Sequence, residues 1–360
     1  MSTVVPSHPY LSALDPYEAP DLEVAADRAG VDRADLIRLN ANENPFGPSP
    51  RVAGALAELD AYQFHPDYGP LRQAVARYAG VTPAQVVMSN GADEMIDLLI
   101  RLFVEPGEAI IICPPTFGMY RFYGQVNRCR VLSAPRRQDL SLDARGIERV
   151  VQESGGEARL LFIASPGNPS GRAIPLEVTE RLLHTPLVVC VDEAYVEFGG
   201  ESAVSLLDDC DNLIIIRSFS KWAALAGLRL GYGLLRPGLA EYVNRIRAPY
   251  NVNAAAVVAA LTTLEDLEAV RANLSRLVEE RERLRKALMD IAWMDPLPSD
   301  TNFVLVRVKG RDAHAVVDAL ARQAVLTRGF SSPEMAQHVR ISVGTPEQND
   351  ALVAALQRME

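Results

Sequence analysis

The chain has 360 residues, 48% hydrophobic and 23% charged, with a net charge of −10. That is globular composition, with enough length for two domains and a large core. A surface this acidic argues against a nucleic-acid or anionic-membrane partner, so a small anionic ligand needs a local basic pocket.

No run approaches the roughly 20 apolar residues of a membrane-crossing helix. Met1 to Tyr17 lack the basic-then-apolar text of a signal peptide. The four cysteines form no C-x-x-C pair, so free thiols in a reducing cytoplasm are expected.

In chain order, residues 1–35 are rich in Pro, Asp and Ala. They read as an N-terminal arm with one short helix near Leu22 to Ala29, laid on another surface such as a second subunit. Residues 36–248 alternate between short apolar runs and amphipathic runs. Strands are expected at Gln85–Met88, Ala109–Cys113, Leu160–Ala164, Leu187–Val191, Leu213–Arg217 and Leu230–Leu235. Helices are expected between them at Leu71–Tyr78, Ala92–Phe103, Gly118–Asn127, Asp143–Glu153, Pro175–Leu183 and Leu239–Ile246. Such alternation implies an α/β domain whose mainly parallel sheet is covered by helices on both faces.

Residues 249–360 read as a smaller α+β domain. It opens with a long helical stretch, Ala254 to Asp290, and continues with strands at Asn302–Val308, Ala324–Thr327 and His338–Val343. Helices are expected at Ala313–Gln323 and from Glu347.

Ligands on open α/β sheets bind at the carboxyl ends of strands. Asn90, Ser165, Asp192 and Ser218 all sit at or just past such ends. Asp192-Glu193 closes an apolar strand, as a Walker B pair does, but no G-x-x-x-x-G-K-S/T loop lies upstream. Packing or capping is the plain alternative for Asp192. Lys221 stands in Ser218-Phe219-Ser220-Lys221, with Arg229 eight positions on. Two hydroxyls and a guanidinium suit a phosphate group. The backbone amides of Ala92 and Asp93, at a helix start, suit it too.

Asn168 lies in the turn Ser165-Pro166-Gly167-Asn168-Pro169, where asparagine is common for local reasons, and Tyr195 follows Asp192 by three. Ala194 is small enough to lie flat on a ring face. Phe117 is either a core aromatic or a stacking face. Arg340, on a half-buried strand, needs an anionic partner.

An amine, a phosphate cup, an acid for a ring nitrogen and two donors for a phenolate are the requirements of pyridoxal phosphate. The five histidines form no metal-binding spacing and no G-x-S-x-G elbow is present, so no metal site or serine hydrolase is indicated.

The ordered set Leu39-Asn40-Ala41-Asn42-Glu43-Asn44-Pro45, Gly91 to Glu94, Pro114 to Tyr120, Ser165 to Gly171, Asp192 to Tyr195, Ser220-Lys221 and Gly227-Leu228-Arg229 resembles the class II branch of the fold-type-I aminotransferases. Within that branch it is most similar to the enzymes acting on histidinol phosphate. The resemblance runs from about Tyr17 to the C-terminus. It implies a homodimer with shared active sites and a ping-pong exchange between an amino donor and 2-oxoglutarate. It implies Lys221 as the Schiff-base amine and proton carrier, Asp192 at the ring nitrogen, and Asn168 and Tyr195 at the phenolate. It places Phe117 on the ring and Ala92, Asp93, Ser218, Ser220 and Arg229 around the phosphate. Arg340 and Asn42 are assigned to the substrate carboxylate, and Arg328 and Tyr17 to the distal group. Relatives carry Arg-Tyr-Pro where this chain has Phe64-His65-Pro66, so His65 takes the place of a tyrosine that reaches the partner's cofactor. Gly167 and the text after Arg328 also depart from the pattern.

Aromatic amino-acid transamination and threonine-phosphate decarboxylation are the neighbouring chemistries. A ligand-sensing domain is the alternative outside catalysis, and it lacks the basic DNA-binding helix such a regulator needs.

Overall fold

The structure, a computed structural model, describes Tyr10, Leu14 and residues 21–359. It begins with α1 (Leu22–Ala29), β1 (Ile37–Arg38), α2 (Arg51–Ala57) and α3 (Gly69–Ala79). The alternating region follows as β2 (Val86–Ser89), α4 (Gly91–Phe103), β3 (Ala109–Ile112), α5 (Gly118–Val126), β4 (Arg130–Ser133) and α6 (Ala144–Glu153). It continues with β5 (Ala158–Ala164), α7 (Leu176–Leu183), β6 (Val188–Asp192), β7 (Leu213–Ser218), β8 (Gly231–Leu235) and α8 (Pro237–Ile246). Last come α9 (Ala254–Glu265), α10 (Leu267–Met289), β9 (Met294–Pro296), β10 (Phe303–Val308), α11 (Ala313–Ala321), β11 (Val325–Leu326), β12 (His338–Ser342) and α12 (Pro346–Gln357).

Seven strands form one sheet in the order β2-β8-β7-β6-β5-β3-β4. The central run is parallel, and β8 is antiparallel to both of its neighbours. Six strands therefore point one way and place their carboxyl ends on one edge. The reversed β8 places its beginning on that same edge. This brings Arg229, two residues before β8, beside residues that follow the other strands.

Both faces of the sheet are covered, so its central strands are apolar throughout rather than alternating. Ile111, Leu161, Val189 and Ile215 face a core shared with α3, α6, α7 and α9. Ile110, Leu160, Cys190 and Ile214 face the opposite core, shared with α4, α5 and α8. The expected mixed, mainly parallel sheet is thus the one observed.

A second sheet, β12-β10-β9, is antiparallel and carries its own core with α11, α12 and Leu39. The stretch Ala254–Asp290 is two helices, separated at Asp266. Val270 and Leu277 of α10 join the large sheet's core, and Leu284 and Leu288 join the small sheet's core. At 1.5 Å per residue a helix of this length runs about 35 Å, long enough to tie the two cores together.

Candidate active site

The carboxyl edge of the large sheet opens into a cavity of about 210 Å³ that also touches the small sheet. At one end lies the start of α4. Gly91 has φ +77, and a Cβ there would come within 2.7 Å of the Arg229 guanidinium. A Cβ on Gly231 would lie 2.6 Å from the Gly91 carbonyl carbon and 2.8 Å from the Ala92 nitrogen. Two glycines therefore let β8 and Arg229 approach the first turn of α4, whose leading amides have no helical acceptor. Arg229 donates to Asp93 (3.0 Å) and to the Ser220 hydroxyl (3.5 Å), and Ser218 accepts from the Ser220 amide. Hydroxyls, amides and a guanidinium converge here as a phosphate requires.

Asp192 ends β6 and is only 5% exposed. One carboxylate oxygen accepts from the Tyr120 hydroxyl at 2.6 Å and the other from the Ala194 amide at 3.0 Å. Its pKa is raised to about 6, burial outweighing the bonds from Tyr120 and Ala194 that lower it. Tyr120 escaped the sequence reading. It is fully buried on α5, stacked on Phe162 and edge-on to Phe117. Its signal was a tyrosine on the apolar face of a helix, a position that demands a partner for the hydroxyl.

Lys221 lies across the cavity, its Nζ donating to the Ala41 carbonyl at 3.0 Å. Burial first, then Arg340 and Arg229, lower its pKa to about 8, against Glu43 and Asp93. The neighbouring residues of the same segment are engaged too. The Asn40 carbonyl accepts from Arg340, and the Asn42 amide donates to the Tyr195 hydroxyl. Arg340 also donates to Asn168 Oδ1 at 2.8 Å. Arg328 and Arg340 pair backbone to backbone across an isolated antiparallel bridge, and both line the cavity.

Of the expected site residues, Asn42, Ala92, Asp93, Phe117, Asn168, Asp192, Ala194, Tyr195, Ser218, Ser220, Lys221, Arg229, Arg328 and Arg340 all border this one cavity. The reading of Asn42 as a substrate ligand meets a different partner here, Tyr195. His65 does not border the cavity of its own chain. It is exposed and stacked on Tyr250, ring centroids 3.9 Å apart. Tyr17 lies outside the described residues.

The residues present fit pyridoxal phosphate. The glycine-cleared cup with Arg229 suits its phosphate, the buried Asp192 its ring nitrogen, and the Lys221 amine its aldehyde. The two pKa shifts predict the pH dependence of cofactor uptake by apoprotein. Asp192 gains its charge as pH rises through about 6, and Lys221 loses its proton as pH rises through about 8. Both changes favour uptake, so the rate is expected to climb from about pH 6 to about pH 8 and then level off. Stopped-flow mixing of apoprotein with pyridoxal phosphate checks this. A rate that falls over that interval contradicts the assignment.

Residues 34–356 match the family described as aminotransferase class I and II. A histidinol-phosphate aminotransferase of Roseiflexus castenholzii is 41% identical over 362 residues, 98% of this chain and 97% of that one. A chloroplastic histidinol-phosphate aminotransferase of Nicotiana plumbaginifolia is 41% identical over 97% of this chain and 85% of its own. The crystal structure of histidinol-phosphate aminotransferase from Sinorhizobium meliloti in complex with pyridoxal 5′-phosphate superposes with a TM-score of 0.89. It covers all of both chains at 28% identity. On this match and on the geometry of its cavity, the chain belongs to the class I and II aminotransferase family and is a pyridoxal-phosphate-dependent transaminase.

Proposed function

We propose that this transaminase moves the amino group of histidinol phosphate to 2-oxoglutarate, giving imidazole acetol phosphate and glutamate. The observation that carries the reading is the Arg328–Arg340 pair at the cavity wall near Lys221. One half-reaction brings a phosphate dianion with no carboxylate, and the other brings two carboxylates. Two guanidiniums fixed on paired backbone can serve either load, since arginine binds both groups through paired N–H donors. The full-length similarity to histidinol-phosphate aminotransferases points the same way.

When bound, pyridoxal phosphate supplies a carbonyl that takes up the substrate amine and a ring that accepts the electron pair left as the Cα–H bond breaks. Lys221 Nζ takes the Cα proton and later returns it. Its lowered pKa keeps a usable fraction neutral at physiological pH. Asp192 would hold a proton on the ring nitrogen, and Asn168 and Tyr195 would donate toward the phenolate oxygen. Phe117 and Ala194 would lie against the ring. Ser218, Ser220, Arg229 and the amides of Ala92 and Asp93 would hold the phosphate.

Arg229→Ala removes charged hydrogen bonds, so pyridoxal phosphate affinity should fall by about 10- to 100-fold. Equilibrium titration of apoprotein measures this, and unchanged affinity would remove Arg229 from the cup.

The donor is tested by offering histidinol phosphate, phenylalanine and threonine phosphate with 2-oxoglutarate. Histidinol phosphate should be preferred in kcat/KM by on the order of 10²-fold or more, because a site that binds a substrate group through hydrogen bonds rejects analogues lacking that group. A preference for phenylalanine, or CO2 from threonine phosphate, overturns the substrate.

We further propose a cytoplasmic homodimer in which His65 and Tyr17 complete the partner's site. Tyr62, Phe64 and Tyr250 are 75%, 69% and 54% exposed around His65, an apolar surface suited to a second copy. Among the described residues no helix is long and apolar enough to cross a membrane. Light scattering should return twice the 39.3 kDa chain mass, and an active monomer on dilution refutes the shared site.

A further inference from the structure

The assignment of Tyr195 to the cofactor leaves a question of polarity. A phenol both donates and accepts, and it stabilises a phenolate only while its proton points at that oxygen. The surroundings of Asn42 answer it. Asn42 is 1% exposed and has φ 53, a left-handed conformation that asparagine tolerates better than most residues. Its backbone N–H donates to Ser342 Oγ at 2.8 Å, and its carbonyl accepts from Asn302 Nδ2 at 2.9 Å. Ser342 and Asn302 belong to the small-sheet side, at the end of β12 and just before β10.

Since Ser342 Oγ accepts from the Asn42 N–H, its own proton goes to Asn42 Oδ1, 3.1 Å away. That bond fixes the amide with Nδ2 outward, donating to the Tyr195 hydroxyl at 2.9 Å. Tyr195 is 5% exposed and held edge-on to Phe303, its hydroxyl at the cavity wall. Asp93, Asp192, Lys221, Arg229, Arg328 and Arg340 are the charged groups that share this cavity.

We propose that Asn42, locked by Ser342, is a positioning residue that occupies the acceptor side of the Tyr195 hydroxyl and so directs its proton toward the phenolate oxygen of the cofactor. The inference rests on the pyridoxal-phosphate reading above and adds a polarity that the family resemblance does not supply. It also links the small sheet to the electronics of the site, because the orienting hydroxyl comes from β12.

Asn42→Asp keeps the size and the tolerance of a left-handed backbone but replaces the donor with an acceptor, which draws the Tyr195 proton away from the cavity. Two readouts apply, the affinity of apoprotein for pyridoxal phosphate and the pH midpoint of the bound cofactor's visible absorbance. A phenolate without its donor is more basic, so the midpoint should rise, by about one unit for one charge-assisted hydrogen bond, and affinity should fall about tenfold.

Tyr195→Phe should behave alike, and S342A/Y195F should add nothing to Y195F, since both act through one proton. Ser342→Ala, with the side chain of Asn42 intact but unlocked, should give a smaller shift in the same direction, and it carries the test if N42D does not fold. Equal shifts from S342A with and without the Tyr195 hydroxyl, or no shift in N42D and S342A, overturn the assignment while leaving the transaminase reading in place. Wild-type chain that binds no pyridoxal phosphate overturns both.

Discussion

Lys221→Ala is expected to abolish transamination while leaving the apoprotein folded. Nζ has two tasks, to condense with the cofactor and to carry the Cα proton, and no other amine borders the cavity among the described residues. Loss of a positioned general base alone costs on the order of 10²–10⁴-fold, and loss of the attachment point adds to that. Stability should move differently. The folded pKa of Lys221, about 8, lies below its ordinary 10.5. The fold therefore disfavours the ammonium, and this lysine's favourable contribution is present above pH 10.5 and lost as pH falls through about 8. At pH 7 its removal relieves a desolvated charge, so Tm of the apoprotein should hold or rise. Single-turnover kinetics and a thermal melt separate the two effects. Residual turnover within tenfold of wild type removes Lys221 from its role.

Asp192→Asn is expected to lower kcat by about 10²–10³-fold, comparable to deleting one preorganised electrostatic partner of a transition state. The amide preserves the shape and still accepts from Tyr120, but it cannot hold a proton on a ring nitrogen. A D192N enzyme that keeps wild-type kcat assigns the role to another group. A thermal melt of the D192N apoprotein separates a loss of fold from the loss of chemistry.

Much of this was legible in the chain. The apolar runs bounded by turn residues fell on the observed strands, because a strand covered on both faces must be apolar along its length. The short helix at Leu22–Ala29 matched its observed span, since Asp21 caps its start and Gly30 ends it in a left-handed turn. Elements too short or too exposed to show a period were missed. They include the two-residue strand β1, which pairs with the expected β11, and the edge strand β4, whose residues are all at least partly exposed.

Within the cavity, each group that brings its own chemistry was marked by local text. Lys221 sits among hydroxyls, Asp192 ends a strand, and Arg229 follows a glycine-bearing turn. The residues that orient them were silent. Tyr120 reads as one more aromatic on an apolar helix face, and Asn42, given to the substrate carboxylate by resemblance, shows no sign of Tyr195. Each becomes informative only opposite its partner, 72 and 153 positions away in the chain.

The types of element, the reactive groups and the strand ends that carry them follow from periodicity, turn chemistry and functional-group identity, all of them local. That β8 runs backwards, and so delivers Arg229 to the edge it shares with Asp192 and Lys221, emerges only from the assembled sheet. So does the matter of which hydroxyl or amide faces which. Hydrogen-bond polarity and the lowering or raising of a pKa depend on burial and on neighbours remote in sequence, and both exist only once the chain has closed around them.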